Sequence, residues 1–162
     1  MAERWVINAS PVILLAKAEV IQFLPRLCDE LAIPAGVVAE IQGARISDLG
    51  ISWLQADGRQ FIRSSPATQA ALADWRGGRG EAEVISWALR NPGSVAILDD
   101  RRARALALRN RVAVLGSLRV IVLAKQHGLI SEARPALERL RGAGAYVTDE
   151  LIDRSIRLAG ES

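Results

Sequence analysis

The sequence lacks most of the residues that would indicate a secreted, membrane-bound or cysteine-based protein. Its single cysteine, Cys28, excludes an internal disulfide and any zinc cluster built on several cysteines. Apolar runs such as residues 12–15 and 120–124 are far too short to span a bilayer, and the first residues carry no signal-peptide core. We therefore expect a cytoplasmic protein without a membrane partner.

Lysine and aromatic residues are also scarce. Lys17 and Lys125 are the two lysines among 21 basic residues, so the remaining 19 are arginines. Arginine binds phosphate bidentately, which suits nucleic acid, but a GC-rich genome produces the same bias. The position of the arginines has to decide between these explanations. The four tryptophans are expected to anchor the core or an interface: Trp5, Trp53, Trp75 and Trp87.

Short apolar runs alternate with helical patterns along the 162 residues. Strands are predicted at 5–7, 31–33, 95–98 and 112–115, with an edge strand at 60–63. Helices are predicted at 12–24, 35–43, 66–76, 81–90, 101–110, 118–127, 131–141 and 148–159. Residues 45–58 are predicted to be irregular, with Trp53 and Leu54 as an apolar anchor.

This alternation predicts the α/β class, as a three-layer α/β/α domain around a mostly parallel sheet of four to five strands. The length fits one domain over residues 1–162, with the helices of residues 131–159 packed on it.

Acidic residues recur where predicted strands end or helices begin. Asp99 and Asp100 directly follow the apolar run 95–98, at the sheet edge where ligands of parallel sheets collect. Glu81 begins the helix after a glycine-containing segment, and Glu40 lies in the helix after the second strand. Adjacent acids need a cation or an arginine beside them, and oxygen ligands suit Mg²⁺ or Mn²⁺ better than zinc.

Each of these residues also has a simpler explanation. Glu81 would stabilise a helix N-terminus, and Glu40 would be a solvated charge. Asp99 would cap the helix that follows, which leaves Asp100 for a metal. Asn8 and Ser10, after the first strand, would be turn and capping residues. The joint pattern, rather than any single acid, favours a metal site.

Arginines surround these acids in the sequence. Arg101, Arg102 and Arg104 follow the aspartate pair, and Arg76 and Arg79 precede Glu81. A basic rim around an acidic pocket suits a polyanion whose phosphate reaches a metal. The alternative is that some of these arginines only neutralise the aspartates.

Four segments together resemble the PIN-domain family, which includes the ribonuclease toxins of toxin–antitoxin pairs. They are residues 6–13, 33–40, 80–85 and 98–104, and they span most of the chain. The aspartate pair followed by arginines is similar to one branch of the family, marked by an Asp-Asp-Arg-Arg motif. The resemblance implies a metal-dependent ribonuclease, with RNA as substrate, a small antitoxin as partner and a homodimer as its assembly.

The resemblance also implies roles for particular residues. By position, the metal ligands would be Asn8, Glu40, Glu81 and either Asp99 or Asp100, with the four acids catalytic and Mg²⁺ or Mn²⁺ as cofactor. RNA would bind to Ser10, Arg76, Arg79, Arg101, Arg102 and Arg104. The family's usual residue at the first position is aspartate, so Asn8 weakens the expected metal binding.

Two other functions compete with the nuclease. A catalytically weak PIN scaffold that binds nucleic acid or a protein is favoured by Asn8. A phospho-acceptor receiver domain also uses paired acids. However, no lysine follows the predicted strand 112–115, in the segment 115–117, and this disfavours a receiver domain.

Overall fold

The centre of the protein is a five-stranded, all-parallel sheet. The computed structural model describes residues 3–44 and 48–161. Its strands have the spatial order β3-β2-β1-β4-β5. In chain order they are β1 (Arg4–Ile7), β2 (Glu30–Pro34), β3 (Ile62–Arg63), β4 (Val95–Ile97) and β5 (Ala113–Leu115). The predicted strands are confirmed, although the edge strand β3 is shorter than expected because residues 57–61 form a 3₁₀ helix.

The central strand β1 fixes the register of the whole sheet. Trp5 pairs with Leu31 of β2 on one side and with Val95 of β4 on the other. Side chains of β1 and β2 are almost completely buried, as expected for a parallel sheet covered on both faces. All strands run in one direction, so their carboxyl ends meet at one edge.

In the part of the chain that the structure describes, eight α-helices flank the sheet and complete three layers. They are α1 (Ala9–Lys17), α2 (Ala35–Gly43), α3 (Asp48–Gln55), α4 (Arg79–Arg90), α5 (Arg101–Arg109), α6 (Ser117–Gln126), α7 (Ala133–Gly142) and α8 (Asp149–Leu158). Helix α4 packs on α2, β1, β2 and β4, whereas α1 packs on α3, α6 and α7. The predicted three-layer α/β/α fold is therefore confirmed.

The first helix ends earlier than its apolar pattern predicts. It stops at Lys17 because Glu19 adopts a φ of 64°, and the N–H groups of Glu19 and Val20 bond back to the last turn. A 3₁₀ helix, Ile21–Arg26, continues the buried apolar pattern. The prediction of one helix over residues 12–24 is wrong in this respect.

Two further segments differ from prediction. The region 45–58 was expected to be irregular but contains α3. Residues 45–47 of this region lie outside the part of the chain that the structure describes. Trp53 and Leu54 are buried there, as predicted, and Trp53 stacks on Phe61 with ring centroids 6.3 Å apart. The helix expected from Pro66 is absent apart from a single 3₁₀ turn, Ala70–Leu72.

The last two helices pack on the rest of the structure. Helix α7 contacts α1 and α6, and α8 contacts α6 and α7. Arg139 of α7 donates a hydrogen bond to the backbone oxygen of Ala18, with 2.9 Å between the atoms. None of the described helices combines the length and apolar character needed to cross a membrane.

Candidate metal-binding and nucleic-acid site

The two aspartates after β4 hold the starts of two different helices. Asp100 is the N-cap of α5, where its Oδ2 accepts from the N–H of Ala103 at 2.9 Å. Asp99 instead reaches Ser117, the first residue of α6, and accepts from its N–H at 2.8 Å and its hydroxyl at 2.6 Å. The alternative in which Asp99 caps the following helix is therefore wrong, since Asp100 takes that position.

Glycine at position 80 brings Glu40 and Asn8 together. The N–H of Gly80, in the first turn of α4, donates to Oε1 of Glu40 at 2.8 Å. A Cβ atom at Gly80 would lie 2.7 Å from Oε2 of Glu40 and 3.0 Å from Oδ1 of Asn8. Three elements (α2, α4 and the end of β1) thus converge here, and only a residue without a side chain fits between them.

Asn8 is buried, and its side-chain oxygen is unsatisfied. Its backbone N–H donates to Ile97 at 3.2 Å, which extends the pairing of β1 and β4. It precedes α1 but makes no side-chain capping bond, so the simple capping role is not the one it performs. Within the described part of the chain, its Oδ1 is buried without a hydrogen-bond partner. A buried acceptor of this kind calls for an explanation such as a ligand.

Glu81 lies among like charges. Burial raises the pKa of its carboxyl, and the negative charges of Asp100 and Glu40 raise it further, against smaller lowering effects of Gly78 and Arg102. Both neighbouring acids therefore act on Glu81 electrostatically, and like charges gathered at one site are costly without a counter-charge. Glu81 is therefore more than a helix-stabilising charge.

These groups face one cavity of about 490 Å³ at the carboxyl edge of the sheet. Its polar wall consists of Asn8, Ser10, Glu81, Asp99, Asp100 and Ser117. Its other wall is largely apolar and comes from Leu14, Leu118, Leu140, Gly144, Ala145, Tyr146 and Val147. Glu40 does not line the cavity; it is an exposed residue of α2 whose carboxylate accepts from the N–H of Gly80.

The predicted RNA-binding arginines divide into two groups. Arg79 is engaged, since its Nε donates to Glu83 at 2.7 Å and its Nη2 to Ser65 at 3.3 Å. Arg104 is also engaged, with Nη1 donating to the backbone oxygen of Leu98 at 3.1 Å. The other three predicted arginines are exposed and form no ion pair within residues 3–44 and 48–161: Arg76, Arg101 and Arg102.

The structure does not support the alternative that arginines neutralise the aspartate pair. Over the same described ranges, neither Asp99 nor Asp100 forms an ion pair with an arginine within 4.0 Å. Helix N-termini satisfy these carboxylates instead, through the N–H groups of Ala103 and Ser117.

The sequence analysis missed one buried acid, Glu83. Its Oε1 accepts from the N–H of Gly36 at 2.9 Å, and its Oε2 accepts from Arg79. Burial raises the pKa of Glu83, but the hydrogen bonds from Gly36, Ser65 and Arg79 outweigh this and lower it. The signal available was the Arg79–Glu83 spacing of four residues, which is also typical of an exposed helical ion pair.

The oxygen-rich cavity has the chemistry of a divalent-cation site. No group of three or more histidine, cysteine, aspartate or glutamate side chains is arranged to hold a metal within the described residues. The donors nevertheless fit a hard cation: Asn8 offers a buried oxygen that lacks a partner among the described residues, and the negative charges of Asp100 and Glu40 act on Glu81. A bound cation would give the Asn8 oxygen a partner and would reduce the repulsion between the acids.

Comparison with protein families agrees with this geometry. A family model described as a PIN domain matches residues 4–161. The chain therefore belongs to the PIN-domain family, whose members are in general metal-dependent nucleases. No curated protein sequence matches the chain significantly.

Proposed function

We propose that the protein is a metal-dependent ribonuclease that hydrolyses RNA phosphodiester bonds at the acidic cavity. The observation that carries the proposal is the convergence of Asn8, Glu81, Asp99 and Asp100 on one cavity at the sheet edge. PIN-family membership supports the same reaction class.

In this proposal the residues have distinct tasks. Asn8, Glu81 and Asp100 would hold Mg²⁺ or Mn²⁺ and Asp99 would complete the ligand set, while Glu40 positions the start of α4 through its hydrogen bond from Gly80. When bound, the cation supplies charge neutralisation at phosphorus and lowers the pKa of a coordinated water. Ser10 and the exposed arginines Arg76, Arg101 and Arg102 bind the RNA backbone.

Burial and the neighbouring carboxylates raise the pKa of Glu81, and in this proposal its carboxyl orients the attacking water by a hydrogen bond. The two hydrogen bonds between Asp99 and Ser117 fix the part of the cavity wall that these residues form.

The second candidate is a PIN scaffold with weak or no catalysis, which binds nucleic acid or a protein. Asn8 favours it, since an amide brings one neutral oxygen where a carboxylate would bring a charge. The lack of a three-acid group within the described ranges points the same way.

The biological setting belongs to the same proposal. We infer a toxin of a toxin–antitoxin pair, restrained by a small antitoxin, active in the cytoplasm as a homodimer and built from one domain over residues 1–162. The support is the family resemblance together with the packing of α7 and α8 on α1 and α6. A small reading frame directly upstream of the gene would support the antitoxin.

Cleavage of RNA by the purified protein tests the proposed reaction. Single-stranded RNA is incubated with Mn²⁺, with Mg²⁺ or with EDTA, using the parent and Asp100→Asn. We expect metal-dependent cleavage that falls at least 100-fold in the variant, as for loss of an essential acid or ligand. Asp57→Asn is the matched control, because Asp57 is exposed in a 3₁₀ helix away from the cavity.

The result separates the two candidate functions. Equal cleavage by parent and Asp100→Asn would indicate a contaminating nuclease and overturn the proposal. Metal-independent RNA binding without cleavage in any variant would favour the scaffold.

A further inference from the structure

A second cavity, of about 570 Å³, lies between α5 and the segment before α4 and is rich in arginine. Its polar lining consists of Asp74, Trp75, Arg76, Arg102, Arg109 and Asn110. The three arginines are exposed and form no ion pair within the part of the chain that the structure describes. With Asp74 as the one acid, the surface carries a net positive charge that suits an anionic ligand.

Trp75 differs from the other tryptophans. Trp5, Trp53 and Trp87 are at most 8% exposed, as expected for core anchors, whereas Trp75 is only partly buried. Its indole N–H donates to the backbone oxygen of Gly78 at 3.3 Å, which fixes the ring. The guanidinium carbon of Arg102 lies 5.7 Å from the centre of the ring. We call this pair the Trp75–Arg102 platform.

The platform is connected to the acidic cavity through a short segment. Trp75 donates to the backbone oxygen of Gly78, and three residues later Glu81 lines the acidic cavity. Arg102 lies in the first turn of α5, whose N-cap, Asp100, also lines the acidic cavity. The platform therefore lies at the helix ends that carry two of the acids.

We propose that the Trp75–Arg102 platform binds the nucleobase next to the scissile phosphate of single-stranded RNA, while Arg76 and Arg109 bind the flanking backbone. The proposal rests on the proposed function, since it uses the acidic cavity to place the scissile phosphate. Bases stack on aromatic rings and on arginine planes when they are free of a duplex. Arginines alone would suit an acidic protein segment equally; the fixed indole among them favours a base.

Binding measured without a metal tests the subsite separately from catalysis. The probe is a fluorescein-labelled twelve-nucleotide single-stranded RNA in EDTA, read by anisotropy over a range of salt concentrations. Inorganic polyphosphate and a polyglutamate peptide are the competitors. The variants are Trp75→Ala, Trp75→Phe and Arg109→Gln, with Arg157→Gln as control because Arg157 is an exposed arginine of α8.

We expect Trp75→Ala to weaken RNA binding roughly tenfold, with Trp75→Phe keeping most of the affinity, as stacking requires. The salt dependence of Trp75→Ala should match that of the parent, whereas Arg109→Gln should reduce the slope by about 0.7, the value for one phosphate on a single strand. Polyphosphate binding should be the same for parent and Trp75→Ala. Arg157→Gln should change none of these values.

Three results would overturn the proposal: unchanged RNA binding in Trp75→Ala, equal loss of RNA and polyphosphate binding, or stronger competition by polyglutamate than by unlabelled RNA. Should Trp75→Ala not fold, photocrosslinking of the parent to a 5-bromouracil RNA decides. A crosslink at Trp75 supports the subsite, and crosslinks confined to other segments refute it.

Failure of the subsite and failure of the nuclease proposal are distinguishable. Loss of RNA binding in Trp75→Ala without metal-dependent cleavage by the parent would leave the subsite standing and remove the nuclease. Cleavage that depends on Asp100, combined with unchanged RNA binding in Trp75→Ala, would support the nuclease and refute the subsite.

Discussion

At the scale of single residues, the chemistry of the acidic cavity depends most on Asn8. Its buried Oδ1 lacks a partner within the described residues, and a buried acceptor left in this state destabilises a fold by about 1–3 kcal/mol. The amide contributes an oxygen but no charge. The metal-free protein therefore avoids a fourth anion beside Glu40, Glu81 and Asp100, at the expense of cation affinity.

Replacing the amide by a carboxylate separates the nuclease from the scaffold. In Asn8→Asp, we expect Mn²⁺ to bind on the order of tenfold more tightly, which corresponds to about 1.4 kcal/mol of extra stabilisation at saturating metal. Without metal, added repulsion should make the variant less stable than the parent. Thermal melts with EDTA and with a series of Mn²⁺ concentrations measure both effects.

A surface charge controls for the change in net charge. Gln42→Glu adds the same charge at an exposed position of α2 and should leave the Mn²⁺ response unchanged. If Asn8→Asp gains no more from Mn²⁺ than the parent does, the acids are not a latent metal site and the scaffold is the better description.

The raised pKa of Glu81 predicts how the stability of the protein depends on pH. Its native pKa is raised, so between its ordinary value of 4.5 and the raised value the folded state binds more protons than the unfolded state. Stability in EDTA should therefore fall as the pH rises through this window, and the loss should persist above it. In Glu81→Gln this loss should disappear, so that urea denaturation shows a variant more stable than the parent at pH 7 but not at pH 4.

Glu150 offers a matched control. It lies in the first turn of α8, as Glu81 lies in the first turn of α4, but it is exposed. Glu150→Gln should lose only the favourable helix-end interaction, about 0.3–1 kcal/mol, at neutral pH. A loss of stability in Glu81→Gln at pH 7 would show that its charge is compensated in the native protein.

At the scale of elements, Glu83 joins the two helices that carry Glu40 and Glu81. It accepts from the first turn of α2 at Gly36 and from the start of α4 at Arg79. A Cβ atom at Gly36 would collide with its carboxylate, so glycine is required for this approach. The spacing of the acids therefore depends on a carboxylate that does not face the acidic cavity.

In Glu83→Gln, an amide nitrogen must face one of the two donors, so we expect a loss of about 1.5–3 kcal/mol in urea denaturation at pH 7. Since the native pKa of Glu83 is lowered, its stabilising effect is present above its ordinary value of 4.5 and is lost as the pH falls through the lowered value. The difference between parent and variant should thus shrink in acid. Glu132→Gln, at the exposed N-cap of α7, should lose only the favourable helix-end interaction, about 0.3–1 kcal/mol, at neutral pH.

Elements with a strong local pattern were predictable, and those fixed by distant contacts were not. The buried strands and α5 follow from apolar runs and helical periodicity, although α5 is capped by Asp100 and not by Asp99 as expected. The segment after Pro66 looks helical, but the N–H of Gln69 bonds to Ser86 of α4, which holds it in another path. Nothing in the local sequence requires the φ of 64° at Glu19 that ends α1.

The position of the candidate site was more predictable than the contacts and burial of its residues. That Asn8, Glu81, Asp99 and Asp100 lie at one edge follows from the direction of the strands. The burial of Glu83 does not, because an arginine four residues from a glutamate is ordinarily a solvated pair. Trp75 was expected to anchor the core or an interface, and only the fold shows that it lies beside Arg102.

At the scale of the whole molecule, exposed apolar side chains offer surface that dimerisation would bury. Leu49, Leu108 and Leu158 are each more than half exposed, on α3, α5 and α8. With the preference of small proteins for two-fold pairs, we expect a homodimer. Light scattering at micromolar concentration should give about twice the mass of one chain, and a monomer there would contradict this expectation.

The order of the strands has a consequence for synthesis on the ribosome. β1 pairs with β2 soon after both emerge, but its other neighbour, β4, begins only at Val95. A nascent chain released at residue 90 would carry Asn8, Glu40 and Glu81, yet neither aspartate nor the wall formed by residues 140–147. Truncated translation products should therefore be inert toward the translating cell's own RNA, and only a nearly complete chain can assemble the cavity.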